Sequence, residues 1–194
     1  MTGKTHVAMG IAAGLTLSHG QSPENQLILV LASMVGSLIP DLDHPKGKLN
    51  QKILWINNGL YRMLFYLALG SILMYLNFVK NNKYLMLLGL VFVLIGISSH
   101  RGFTHSIVGF LLSASVVKMG TSNYGLDSLY SGFMVGYVLH LVADFFTPRG
   151  IRLFYPLKIS VSSPINIKTG NYWERIIFTI LSIYCVFVLM GYIG

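Results

Sequence analysis

The chain has 194 residues, of which 54% are hydrophobic and 10% charged, against about 25% charged in an average soluble domain. With a mean hydropathy of +0.64, this excludes an ordinary soluble fold. It predicts one all-α, polytopic membrane domain over residues 1–194, a bundle of about six or seven helices. The net charge of +8 fits topology signals or anionic lipid headgroups, and no nucleic-acid partner is expected because no soluble basic fold is there to carry one. The single cysteine, Cys185, excludes an intrachain disulfide and a thiolate metal cage, and reads as a buried free thiol.

The first apolar run, Thr5 to Gly14, is rich in small residues, and Gly10 and Gly14 let another helix approach closely. It has no convincing cleavage site and is expected to be retained. Thr2 or Thr5 can cap it, and His6 lies in its first turns. After a polar turn, Gln26 to Ile39 forms a second run that stops at Pro40. Both fall short of the roughly 20 residues that cross a bilayer, so the first two helices are either short spans or a re-entrant pair. A basic connection follows to Asn58. Leu60–Val79 is a full span, and Lys80 to Lys83 a tight turn with both lysines placed to snorkel. Tyr84–Ile97 is the next span. Its polar end, Ser98-Ser99-His100-Arg101-Gly102-Phe103-Thr104-His105-Ser106, bends at Gly102, and Thr104 or Ser106 caps the helix beyond. That helix runs to about Val117. Leu129–Phe146 carries His140 and Asp144 near its end, before Pro148. Residues 147–173 form a non-spanning basic connection, with a weak hairpin signal at Val161–Ser163 and Ile165–Ile167. Trp173 is an interface anchor, and Glu174–Ile193 the last span.

If the N-terminus is cytoplasmic and each run crosses once, every polar island falls on one side. That side holds Lys4, Lys46, Lys48, Lys52, Arg62, Arg101, Arg149, Arg152, Lys158, Lys168 and Arg175, and the other only Lys80, Lys83 and Lys118. This is the positive-inside pattern, and it puts the islands on the cytoplasmic face.

The islands are three: Pro40-Asp41-Leu42-Asp43-His44, the His100/His105 stretch, and His140-x-x-x-Asp144. Burying so many unpaired polar groups costs about 1–3 kcal/mol apiece, so they are expected to partner one another. His140 and Asp144, four apart, share a helix face. His100 and His105 would diverge on a continuous helix and need the bend at Gly102 to converge. Four imidazoles and three carboxylates, with His6 as a fifth imidazole and no thiol, suit zinc, manganese or iron, and suit two ions. Clustering at helix ends favours a catalytic site over a proton relay or ion path.

The motifs P-D-L-D-H, H-R-G-F-T-H-S and H-L-V-A-D, with an early T-H-x-x-x-G, resemble the YdjM-like family of membrane-bound metal-dependent hydrolases, and the likeness covers most of the chain. That family is similar to the zinc-dependent phospholipase C and P1 nuclease group. The resemblance implies His6, Asp41, Asp43, His44, His100, His105, His140 and Asp144 as ligands or their immediate neighbours, and hydrolysis of a phosphoester in a lipid or lipid-linked substrate at the bacterial cell membrane. The soluble group also uses an N-terminal amine and an H-x-x-x-E pair, and no second helical pair stands in this sequence. The expected cofactor is a pair of divalent ions, zinc foremost, with manganese, iron or magnesium as alternatives. Asp41 or Asp43 is a candidate general base, and Arg101, Arg149 and Arg152 are candidate phosphate ligands, since a guanidinium fork fits phosphate oxygens. The rival classes are a metal-ion transporter and a metal-stapled structural or regulatory protein. A transporter needs polar groups at midplane, which the spans at 60–79 and 84–97 scarcely offer.

Overall fold

Close helix crossings at small residues set the architecture of the computed structural model, which describes residues 1–193. Gly10 and Gly14 of α1 (Gly3–Leu17) face α2 (Pro23–Gly36) as the sequence spacing predicts. A methyl group on Gly10 would meet the Ser33 carbonyl oxygen at 2.7 Å. The crossing of α2 with α7 (Asp127–Phe145) is tighter still, since a methyl on Gly136 would stand 1.9 Å from that same oxygen. Helix α7 is thereby held against α2 one turn before His140.

The remaining helices are α3 (Asn50–Ile53), α4 (Gly59–Lys80), α5 (Lys83–Ile97), α6 (Ile107–Thr121) and α8 (Tyr172–Ile193). Two short 3-10 turns, Ile39–Asp43 and Phe103–His105, carry the first two polar islands. Pro23–Asp43, Gly59–Lys80, Asp127–Phe145 and Tyr172–Gly191 are long and apolar enough to cross a membrane, while α5 and α6 are shorter apolar helices. Helices α4 and α8 turn Leu60, Phe78, Ile183 and Phe187 outward, a surface suited to lipid. The expectation of a polytopic all-helical bundle holds.

Several local expectations are refined. Helix α2 ends at Gly36 rather than at Pro40, which falls inside the following 3-10 turn, where its missing N–H is tolerated. With that turn, the second apolar segment reaches 21 residues. Ser106, not Thr104, caps α6, accepting from Gly109 N at 3.0 Å. Thr2 stands at the N-cap of α1 without a side-chain cap bond. At the α4–α5 turn Asn81 takes the left-handed conformation and Asn82 caps the next helix through Tyr84 N. Val161 pairs with Ile151 in a single antiparallel bridge, not with residues 165–167. Pro164, which lacks an N–H, interrupts the expected ladder. The connection lies over the end of α7, with Ser163 N on Phe145 O and Ile167 N on Phe146 O.

Two apolar clusters flank the polar islands. Leu42, Tyr66, Val91, Ile95, Phe103 and Val116 form one, and Phe133, Tyr137, Leu141 and Ile151 the other. Leu42 and Phe103 come from the island turns themselves, so the site is walled by the core.

Candidate metal centre and basic cavity

Asp43 organises the loop between α5 and α6. Its buried carboxylate accepts from Arg101 N and Thr104 Oγ1, each at 2.8 Å, and lies 2.8 Å from His100 Nδ1 and 3.2 Å from His105 Nδ1. The two imidazoles five residues apart thus converge on one carboxylate. The backbone conformation that permits this is at Arg101, whose φ is +63°, one residue before the expected bend. Gly102 is needed for space, since a methyl there would meet Ser98 Oγ at 2.5 Å.

A second group of contacts surrounds Asp144 on α7. Arg101 Nη2 lies 3.0 Å from its carboxylate, His6 Nε2 3.3 Å, His105 Nε2 3.5 Å and His140 Nε2 3.9 Å. The amino group of Met1 also contacts it. His105 therefore bridges the carboxylates of Asp43 and Asp144. The islands meet in space, as the topology count required.

The nitrogens of His105 and His140 define the chemistry. His140 Nδ1 donates to the Ser37 carbonyl at 2.7 Å, which leaves Nε2 with its lone pair. His105 Nδ1 faces Asp43, and its Nε2 stands 3.1 Å from His140 Nε2. Two buried lone pairs that close repel unless a proton or a cation lies between them. His6 stacks on His140 with ring centroids 3.8 Å apart, and both of its buried ring nitrogens lack a hydrogen bond among the described residues. Its approach to Asp144 is close but not aligned for one. Orphaned imidazole nitrogens beside an ionised carboxylate are the donor set a divalent cation takes.

Among the described residues, three groups of side chains have donor atoms within 4.8 Å of one another: His6, His140 and Asp144; Asp41, His105 and His140; and Asp41, Asp43 and His100. Shared members make them one contiguous cluster. His44 lies at its edge, its ring 4.4 Å from that of His100, and burial followed by the neighbouring His100 lowers its pKa below the ordinary value. His105, fully buried, is pulled down by desolvation, but the Asp43 and Asp144 carboxylates outweigh this and raise its pKa to about 9.

A cavity of about 650 Å³ opens above the cluster, lined by Asp41, His44, His100 and Arg101 and by Lys46, Lys48, Arg149 and Lys168. Five cations in its lining favour an anionic guest. Arg101 is tied down by Asp144, Thr147 Oγ1 and the Gly150 carbonyl, so it shapes the wall rather than swinging free. Arg149 lines the cavity. Arg152 does not, and donates instead to Ser99 Oγ at 3.1 Å.

Four residues support the site in roles that the sequence did not assign to them. Asn50, fully buried, donates to the carbonyls of Leu42 and His44 and accepts from Tyr66 OH, fixing the Asp41–His44 turn. Arg62, counted above as a topology signal, is buried with its guanidinium on the carbonyls of Ile95 and Ser98 at the end of α5. Glu174 accepts from Thr2 N, Thr5 Oγ1 and Gly170 N, which joins the start of α1, and so His6, to the start of α8. Thr104 contributes both a hydroxyl to Asp43 and a carbonyl to Tyr137 OH. An acid or asparagine in so apolar a chain was the available signal.

Comparison with known proteins gives the chain its family. The profile of the YdjM inner membrane protein family matches residues 1–193. The chain is similar to an uncharacterized protein, YvsG, of Bacillus subtilis (strain 168), with 28% identity covering 97% of this chain and 96% of that one. It is also similar to the inner membrane protein YdjM of Escherichia coli (strain K12), with 26% identity covering 97% of this chain and 83% of the relative. No solved structure matches significantly.

Proposed function

We propose that this chain, which belongs to the YdjM inner membrane protein family, is a membrane-embedded, metal-dependent hydrolase of phosphoester bonds in a lipid or lipid-linked substrate. One observation carries the reading. The Nε2 atoms of His105 and His140 face each other at 3.1 Å beside Asp144, beneath a wall of lysines and arginines. An imidazole–carboxylate cluster answers a cation, and a basic wall above it answers a phosphate.

His6, His105, His140, Asp144 and Asp41 are the residues that would hold one or two divalent ions, zinc foremost, with manganese, iron or magnesium as alternatives. Such an ion supplies Lewis acidity to phosphoryl oxygens and makes water acidic enough to attack at neutral pH. Asp43 orients His100 and His105 through their Nδ1 atoms, as carboxylates behind imidazole ligands do. Arg149, Lys46, Lys48 and Lys168 bind the phosphate oxygens, with Arg101 rigidly held beside them. Asp41, half-buried on the cavity wall, is the carboxylate placed to accept a proton from water. Kinship with the zinc-dependent phospholipase C and P1 nuclease group is part of this proposal, supported by the clustered His and Asp donors. So is the cytoplasmic placing of the site, supported by the excess of basic residues on its side.

The test is metal analysis of purified protein, followed by a panel of phosphodiesters and phosphomonoesters with His105→Ala as control. Metal-dependent turnover lost in the variant is the expected result. Bound metal with no turnover on any substrate would overturn the hydrolase reading in favour of a metal-stapled structural protein. Metal-dependent flux into liposomes would overturn it in favour of a transporter.

A further inference from the structure

A second concavity adjoins the basic cavity and differs from it in character. It measures about 480 Å³ and runs between α1, α2 and α8, walled by Val7, Met34, Val35, Leu38, Leu49 and Phe178. Three lysines, Lys4, Lys48 and Lys52, also line it. The two concavities share a boundary, because Gly3 and Lys48 line both. Lys48 is exposed, and its aliphatic stem lies over Gly3, so close that a methyl on that glycine would meet Lys48 Cγ at 2.6 Å. The stem forms the lip between the two spaces while its ammonium is free to face an anion.

We infer that this groove is the hydrocarbon-chain subsite of the protein, and that its occupant is a lipid phosphate whose chain lies along Val35, Leu38 and Phe178 while its phosphate reaches over Lys48 into the basic cavity. The inference rests on the proposed phosphoester chemistry for the head of that molecule and adds the site for its tail. Three features carry it. The groove is lined mostly by apolar side chains, and one of its three lysines, Lys48, stands on the boundary with the basic cavity, where the phosphate of a lipid would lie. It is continuous with the candidate site through shared residues. Val35 and Phe178 keep considerable exposure, 40% and 36%, on helices whose segments are apolar enough to lie in a bilayer, so a chain can pass in from the membrane without leaving hydrocarbon.

The experiment uses the full chain in nanodiscs and dodecyl phosphate bearing a terminal diazirine, with the matching diazirine-bearing dodecanol as the probe that lacks phosphate. After irradiation the labelled peptides are mapped by mass spectrometry. The expected result is labelling at Val35–Leu38 and around Phe178 by the phosphate probe, at least fivefold above the alcohol, and competed by unlabelled dodecyl phosphate. Val35→Trp, which fills the groove from a partly exposed position, should cut that labelling at least fivefold. Lys48→Glu should abolish the preference for the phosphate probe, bringing its labelling down to the level of the alcohol measured in the same variant. Equal labelling by both probes over the outer faces of α4 and α8, or undiminished labelling in Val35→Trp, would overturn the inference. The two readings fail separately. Turnover of a phosphoester without groove labelling would sink the tail subsite alone, whereas groove labelling with no turnover would keep the subsite and sink the hydrolase.

Discussion

Replacing His105 by glutamine tests the charge balance of the centre. His105 is wholly buried between two carboxylates, with Nδ1 3.2 Å from Asp43 and Nε2 3.5 Å from Asp144. Desolvation opposes its charge, the carboxylates favour it, and the carboxylates prevail, giving a pKa of about 9 in the folded chain. The unfolded value is about 6.5. Because the folded value is the higher, protonation of His105 stabilises the metal-free protein. That stabilisation is complete below pH 6.5, declines from there to pH 9 and is lost above it. At 1.36 kcal/mol per pKa unit, the gap between about 6.5 and about 9 amounts to about 3 kcal/mol. For a chain of this length each kcal/mol moves the Tm by about 2–4 °C, so the expected decline is about 6–12 °C.

The assay is thermal unfolding of chelator-treated protein at intervals from pH 6 to 9.5, with His105→Gln measured beside it so that other titrating groups cancel in the difference. The wild-type Tm should fall relative to the variant across that range. A cation changes the sign of the pH effect, because an imidazole bound to metal through Nε2 carries no proton there. Metal affinity of the wild type should therefore rise about tenfold per pH unit towards pH 9, instead of levelling near 6.5 as an ordinary histidine would allow. Parallel wild-type and variant curves in the metal-free state would refute the charge balance.

Three further outcomes follow from contacts around the centre. Asn50→Ala removes two donors and one acceptor from a fully buried position, and should cost about 2–5 kcal/mol and weaken metal binding in a titration, whereas Tyr66→Phe, which loses one of those bonds, should cost about 1 kcal/mol. Gly136→Ala places a methyl 1.9 Å from the Ser33 carbonyl and should destabilise by about 3 kcal/mol or prevent folding, while Gly59→Ala, with nothing within 4 Å, should stay within about 0.5 kcal/mol by thermal unfolding. Arg62→Met strands the Ile95 and Ser98 carbonyls and should cost about 2–4 kcal/mol, with hydrogen exchange rising across residues 98–106 before it rises elsewhere.

The membrane bundle and the convergence of the polar islands were legible because both rest on patterns of one segment at a time. Apolar run length gives the spans, and the cost of burying Asp43, His105 or Asp144 alone requires that they meet. The i, i+4 spacing put His140 and Asp144 on one face without further help. What the sequence withheld is the assignment of partners. The spacing of His100 and His105 does not reveal that both turn their Nδ1 atoms to Asp43, because the bend depends on a left-handed Arg101 that only tertiary contacts enforce. Arg62 looked like a topology signal because a guanidinium at a span's end serves either purpose, and only the packing of α4 on α5 brings the carbonyls of Ile95 and Ser98 within its reach. Asn50 and Glu174 were opaque for the same reason, since most of what they hold is backbone, and backbone atoms leave no mark in the residue order. Arginine and glutamate at span ends, and asparagine in the connections, therefore carry two readings until a fold selects one. In this chain the fold uses all three to fix the turns that deliver His6, Asp43 and His105 to a common centre.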